Sequence, residues 1–484
     1  MLQTLKNAWN TIEIRKKILF TLLILLIYRV GTVIPVPFVE ANDFAASLSG
    51  TILDYMNTLS GGSLGAMTLF ALGVQPYINA SIIIQLLCVV FPNSLGAMAK
   101  DDKKKMNFIT RIVTVVLAVV TAVGYYFLLR NGNAAAGVDT FLTRAAFEGD
   151  LAWLYGIVIV MCYTAGACLI MWLAERINEK GLGNGISLIL FANIVASVPS
   201  FVYNLARLVV DSFGYPENAW LYALVSTVFA VALVVFLLAL IGVVIWFTGS
   251  ERRIPVQYAK KVVGRKMYGG QSSSLPIKLN MTGVMPIIFA SSIVSFVPTI
   301  FQILESAGVF KDNPNSGWLK FADIIGSEGV VYPIMLFLLI IGFAYFYSQI
   351  TFDPIEVANN LKKQGGAIPG IRQGRPTSDY IKKILNKITL AGALFLGVIA
   401  VLPIILGPHV LKHLFVWLCE GAYVGTIYEQ YGLATYYAEN AANSLVSVFS
   451  FGGTTLLIVV GVAIETFREL EAQLTMRNYK GFLN

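Results

Sequence analysis

Apolar residues crowd into ten stretches of this chain, each close to the length a helix needs to cross a bilayer. A hydrocarbon core about 30 Å thick, at 1.5 Å of rise per residue, asks for about 20 mostly apolar residues. Seven stretches are uniform: 18–36, 107–129, 153–174, 219–247, 331–350, 388–407 and 447–467. Three are interrupted: 74–91 has Gln75-Pro76 at its start, 185–203 follows directly on GLGNG (181–185), and 282–302 holds Pro286 and Pro298. Helix breakers at membrane depth are tolerated where the backbone lines a cavity or is buried in protein, so these three are predicted to face a functional interior. The pattern predicts an all-α integral membrane protein of about ten transmembrane helices.

Composition agrees and removes other classes. The chain is 57% apolar and only 13% charged, with mean hydropathy +0.72, where a soluble domain carries about 25% charged residues. Soluble, disordered and nucleic-acid-binding readings fall away. The basic pI of about 9.1 is explained by where the charges sit. With the N-terminus inside and ten alternating spans, segments 1–17, 95–111, 175–184, 250–280, 353–387 and 468–484 hold 28 of the 35 basic residues. The acidic residues show no such partition. This is the positive-inside pattern, and it predicts both termini in the cytoplasm. The amphipathic start, MLQTLKNAWNTIEIRKK, reads as a cytoplasmic tail leading into a retained helix.

Two inner loops carry more than topology requires. ERRIPVQYAKKVVGRKMYGG (251–270) alternates basic residues with Val and Tyr and predicts a basic hairpin. EVANNLKKQGGAIPGIRQGRPTSDYIKKIL (356–385) sets a Gly/Pro tip between two helical arms. A docking surface for a cytoplasmic partner explains them better than topology or contact with anionic lipid alone.

Catalytic chemistry is sparse. There is no Walker loop, no GxGxxG after a strand and no HExxH. Cys88, Cys162, Cys168 and Cys419 are scattered, and the only histidines are His409 and His413, so neither a metal centre nor a cofactor is expected. Glu175 and Glu465 fall at the cytoplasmic ends of their spans, and Arg29 lies near enough to the outer end of the first to snorkel. These features argue against an enzyme or an ion-coupled pump. Two others suggest a conduit. Segment 50–87 begins too polar to span and passes through SGGSLG into a broken apolar helix, as a half-helix on Gly-Gly hinges or a surface helix would. Small polar residues recur in the interrupted spans: Asn79, Ser81 and Gln85; Asn184 and Ser187; Ser291, Ser292 and Ser295. They either bond between helices or line a path that is sometimes wet. A secondary transporter with broken helices would match the span count but leave the basic loops without a role.

Long motifs in order resemble the SecY family of protein-conducting channels: GTILDYMNTLSGG and PYINASIIIQLL (50–87), MWLAERINEKGLGNGIS (171–187), ERRIPVQYAKK with LPIKLNMTGVMPIIFASSI (251–293), NNLKKQGGAIPGIRQG (359–374) and FGGTTLLIVVGVAIE (451–465). The resemblance implies two inverted five-helix halves around an hourglass pore. It divides the chain into a tail (1–17), an N-terminal half (18–204), a C-terminal half (205–468) and a second tail (469–484). It maps a closing pore ring onto Val74, Ile78, Ile186, Leu190, Ile288 and Ile458. Aliphatic side chains at such a waist fit around a passing chain while limiting water and ions. A plug is implied at about 51–64. The helices near 74–91 and 282–302 become the faces of a lateral gate toward lipid, where hydrogen bonds of Gln85, Ser291, Ser292 and Ser295 must break on opening.

The resemblance also gives the basic loops partners. Arg252, Arg253, Lys260, Lys261, Arg265, Lys266 and Arg372 match positions that dock the ribosome, through phosphates of its RNA, or the SecA motor ATPase. Small membrane subunits SecE and SecG are implied, with signal peptides and nascent chains as substrates and membrane lipid as their lateral outlet. The pore itself is implied to be passive. Stretch 408–446 and the first outer loop match no pattern.

Overall fold

A computed structural model describes residues 2–40, 44, 52–91, 96, 98, 102–132, 140–149, 151–212, 219–258, 261–263, 266–268, 272–306, 331–411, 413–414, 417 and 453–480. Each of the ten apolar stretches coincides with a helix. In chain order the helices are α1 (Leu2–Asn10), α2 (Ile12–Gly31), α3 (Ile52–Leu59), α4 (Gln75–Val90), α5 (Lys103–Asn131), α6 (Arg144–Glu148) and α7 (Ala152–Lys180). They continue with α8 (Gly185–Ser212), α9 (Ala219–Gly249), α10 (Met285–Ser306), α11 (Val331–Thr351), α12 (Pro354–Lys363), α13 (Arg375–Ile405) and α14 (Gly453–Lys480).

Among the described residues, helices α5, α7, α8, α9, α11 and α13 are long and apolar enough to cross a membrane, and α4 and α10 are shorter apolar helices. Helices α2 and α14 pair an apolar stretch with charges: Arg15, Lys16, Lys17 and Arg29 in the first, Glu465, Arg468 and Glu469 in the second. Local chemistry sets several ends. Asp102 caps α5 by accepting from the Lys105 amide at 3.3 Å. Asp353 caps α12 through the Ile355 amide at 2.8 Å, with Pro354 in the first turn and Lys362 and Lys363 in the last; each choice suits its end of the helix dipole.

Two apolar clusters organise the spans. The larger draws on α2, α4, α7 and α8 and also on α10, α11, α13 and α14, so both parts of the chain share it. The second lies among α5, α7 and the segments following α2, α3 and α5, with Val36, Leu64, Met67, Tyr125, Phe141 and Tyr163. It draws in described residues of the first interhelical loop, which matched no pattern. Val36 donates to the Met67 carbonyl at 3.1 Å, and Leu69 to Ile34 at 2.9 Å. At Gly166 of α7 an added Cβ would overlap the Leu69 carbonyl, so glycine is what lets this segment lie against the helix.

Several sequence boundaries move. Helix α13 begins at Arg375 rather than 388, and α14 continues to Lys480, into the segment expected as a tail. The division placed after residue 204 falls inside α8. Most of 408–446 lies outside the described residues; at its start, Leu406–Leu411 form a π-helical turn.

Candidate functional site

The candidate site begins where α3 meets the larger cluster. Helix α3 occupies part of the segment expected at 51–64, and Leu59, at its end, is buried in that cluster. Val74, Ile78, Leu190, Ile288 and Ile458 belong to the same cluster, and half-buried Ile186 packs against it. All six aliphatic residues therefore lie in or against this one large cluster, from α4, α8, α10 and α14, with Val74 just ahead of α4. A space of about 10 Å³ remains among Met56, Leu59, Val74, Tyr125 and Leu190, room for no more than about one water.

The turn after α3 is tied down rather than free. Gly61 and Gly62 take φ of +69° and +84°, the left-handed region where glycine alone is unstrained. Asn57 Oδ1 accepts from the Gly65 amide at 2.8 Å, Ser60 Oγ from the Leu64 amide at 3.2 Å, and Ser63 Oγ donates to the Ser60 carbonyl at 2.9 Å. The expected Gly-Gly hinge is a hydrogen-bonded turn.

Helices α4 and α10 pack on each other, and α10 also contacts α3, α5 and α11. Gln85 donates to Ser81 on its own helix at 3.1 Å and faces Tyr347 of α11. Ser291, Ser292 and Ser295 are buried on α10. The Ser291 hydroxyl donates to the Ile288 carbonyl at 3.0 Å and Ser295 to the Ser291 carbonyl at 2.7 Å. This corrects the expectation that parting the helices breaks these bonds: both stay within α10, because a serine hydroxyl reaches the preceding turn of its own helix. Tyr347 was not singled out from sequence.

The two basic loops, expected on the cytoplasmic side, form one platform. Strands β1 (Glu251–Tyr258) and β4 (Ser272–Lys278) pair antiparallel, and β5 (Gly366–Ala367), from the second loop, adds to β1 through Gln257↔Ala367 and Tyr258↔Gly366. Short β2 (Lys261–Val263) and β3 (Lys266–Tyr268) pair as a hairpin. Beneath the sheet, Ile254, Val256 and Ile277 pack with Leu361, Ile368, Ile381, Ile384, Leu385 and Ile388. Arg252 and Arg253 are exposed on β1, and Arg253 is paired to Glu251 at 2.7 Å. Arg372 is exposed at the tip, its carbonyl accepting from Thr377 Oγ1 at 2.8 Å. Lys261 and Lys266 lie on β2 and β3; Lys260 and Arg265 fall outside the described residues. A groove of about 740 Å³ opens between α12 and α13, lined by Phe352, Asp353, Ile355, Asn359, Arg375 and Lys382 among others. Nearby, Arg468 of α14 donates to the Thr248 carbonyl at 2.8 Å, covering the end of α9. Partial burial, with Arg468 alongside, lowers the Lys278 ammonium below the usual lysine range.

No cluster of three or more His, Cys, Asp or Glu suited to a metal occurs among the described residues. Two residues the sequence reading passed over or placed differently stand out. Asn193 of α8 is fully buried and donates to the Leu59 carbonyl at 2.9 Å. Arg29, expected to reach the outer interface, turns Nη1 inward into a buried position. A lone Asn in an apolar run was the available signal for the first.

Comparison with known proteins matches this arrangement. A protein named Protein translocase subunit SecY from Streptomyces galbus is 38% identical over 497 residues, covering all of both chains. One of the same name from Mycobacterium bovis is 39% identical over the same span. The fold matches a solved structure of a protein conducting channel with TM-score 0.57 at 17% identity, covering 95% of this chain and 92% of that one. Sec61 in the canine ribosome–channel complex matches with TM-score 0.54 at 16% identity and the same coverage. A family model described as SecY matches residues 68–467, which hold the interrupted helices, the platform and the last span, and the chain belongs to the SecY family.

Proposed function

We propose that this chain is the central channel subunit of a bacterial translocon, passing secretory polypeptides across the cytoplasmic membrane and releasing apolar segments sideways into lipid. The observation that carries this reading is a short helix seated on an aliphatic cluster drawn from both parts of the chain, with about one water's room between them. In this reading Val74, Ile78, Ile186, Leu190, Ile288 and Ile458 form the pore ring, α3 is the plug, and α4 and α10 are the faces of the lateral gate. Ten spans form two inverted halves, divided after α8, with both termini cytoplasmic, as the basic residues favour. The subunit performs no catalysis; SecA or the translating ribosome supplies the drive. SecE and SecG complete the complex.

The joined platform supports docking, since β1, which carries Arg252, pairs with β5 of the loop whose tip holds Arg372, and Lys261 and Lys266 lie on the neighbouring β2–β3 hairpin of the first loop. Ribosomal contacts through phosphate weaken steeply with salt. A photoreactive residue at Ile78 or Ile288, tested with an arrested secretory chain, SecA and ATP, decides the central point. A substrate-dependent adduct is expected; its absence with a proven engaged intermediate overturns the assignment of the ring.

A further inference from the structure

Helix α3 ends in a Schellman turn: Gly61, at φ +69°, donates to the Thr58 carbonyl at 3.1 Å and Gly62 to the Asn57 carbonyl at 2.9 Å. Ser63 Oγ takes the Ser60 carbonyl at 2.9 Å. The Leu59 carbonyl lies between these and receives the Asn193 amide from α8 at 2.9 Å. Both partners are buried, Asn193 at 0% exposure and Leu59 at 5%. The same turn is pressed from the other side. A Cβ added at Gly61 would meet Arg29 Nη1 at 3.0 Å and the Asn193 Cα at 3.1 Å. Arg29 Nη1 and Asn193 Oδ1 are buried with no hydrogen-bond partner among the described residues. The Tyr28 hydroxyl comes close to the amide without meeting hydrogen-bond geometry, its ring stacked on Phe70 at 5.4 Å.

We propose that Asn193 is a latch: its side-chain amide holds the end of the plug helix and sets how readily the closed channel opens. The inference rests on the reading of α3 as the plug. The bond runs between a wall helix and the one short helix that must leave for a polypeptide to pass. Moving α3 outward strips the amide of its acceptor and the carbonyl of its donor together. An apolar contact alone would slide; a directional bond to a single carbonyl fixes depth and register. The unpaired Asn193 oxygen and Arg29 nitrogen at the same turn leave polar groups ready to be solvated once the plug departs.

The test uses the full chain reconstituted with its membrane partners, reading potassium chloride conductance in planar bilayers without motor or substrate. Asn193→Ala, which removes the donor, raises resting open probability between about fivefold and a hundredfold, the factor given by one unsatisfied buried carbonyl. Asn193→Leu keeps the heavy-atom count and branching of the side chain while removing both polar atoms, and it leaks comparably. A tight Asn193→Leu channel overturns the latch, because packing then accounts for the residue. Gly61→Ala approaches the same contact from the plug and leaves α8 untouched, so it serves if the α8 variants fail to insert; a tight Gly61→Ala channel counts against the latch as well. Deleting 52–59 separates the two ideas. A leaky deletion with tight Asn193 variants removes the latch alone, whereas a tight deletion removes the plug reading on which it stands.

Discussion

Shortening Ile254 to alanine tests whether the two basic loops behave as one body. Ile254 is 2% exposed on β1, and its cluster joins Val256 and Ile277 from its own loop to Leu361, Ile368 and Ile381 from the other. Deleting three carbons from a packed isoleucine costs about 2–5 kcal/mol, the upper end where neighbours cannot collapse into the space. Strand β5 is in register with β1 at Gln257↔Ala367 and Tyr258↔Gly366, and Gln373 Nε2 donates to the Gly366 carbonyl at 3.1 Å; a few such hydrogen bonds contribute on the order of 1–4 kcal/mol. The cavity cost is therefore of the same order as what these hydrogen bonds contribute, and it also loosens the cluster that holds Ile368. Hydrogen exchange at 366–374 should rise by about thirtyfold or more, the factor for 2 kcal/mol of local opening. Mass spectrometry of the purified Ile254→Ala protein measures it, with peptides from 251–258 as the mutated site and α11 as an unaffected reference. Raised exchange at 251–258 with native protection at 366–374 refutes the single-platform argument.

Other expectations follow from the same geometry. Arg372→Glu, at an exposed tip away from the cluster, impairs SecA-driven secretion while expression and insertion stay normal; undiminished secretion removes Arg372 from the docking surface. Gly166→Ala drives a methyl into the Leu69 carbonyl, an overpacking cost of about 1–3 kcal/mol; a lower thermal midpoint in detergent is expected, and an unchanged midpoint contradicts it. The Lys105 backbone amide holds the Asp102 carboxyl below the usual carboxylate range. A depressed folded pKa adds stability above the unfolded value, about 3.9, and that stability is lost as pH falls through the folded one. The Lys105 amide resonance should therefore titrate below the ordinary value, and Asp102→Asn should abolish that titration.

How much of this was legible depended on the range of the force involved. Membrane spans announce themselves because lipid demands about 20 apolar residues in a row, and each of the ten stretches overlaps a helix. The overruns did not show, because beyond the bilayer the rule changes. The first turns of α13 bury Ile381, Ile384, Leu385 and Ile388 on one side under the platform while Lys382, Lys383 and Lys387 keep the other polar. A search for uniform apolar runs passes over such a face. Strand β5 is two residues of a Gly/Pro tip; its pairing with β1 is a long-range fact that local pattern does not carry. The aliphatic cluster around Ile78 and Ile288 came from family resemblance alone, since an isoleucine in a span looks like any other. Asn193 was visible as a polar residue in an apolar stretch, but periodicity does not say that its partner is a backbone carbonyl 134 positions away.

The site joins two kinds of force, and they respond differently to conservative change. The aliphatic cluster is non-directional: each carbon contact gives about 0.1–0.2 kcal/mol, and no bond must break for a chain to push through. Volume-conserving exchange there typically costs less than about 1.5 kcal/mol, and the cluster closes again around whatever shape remains. The Asn193 contact is directional and has one acceptor, so an exchange that keeps volume loses the whole interaction. Ile78→Leu and Asn193→Leu both replace buried side chains, one on α4 and one on α8, near α3. The first should conduct like the native channel at rest and still admit a secretory chain, while the second leaks. Equal leak from both in the same bilayer assay would mean that the seal depends on packing shape throughout, and the distinction between a yielding ring and a latched plug would fall.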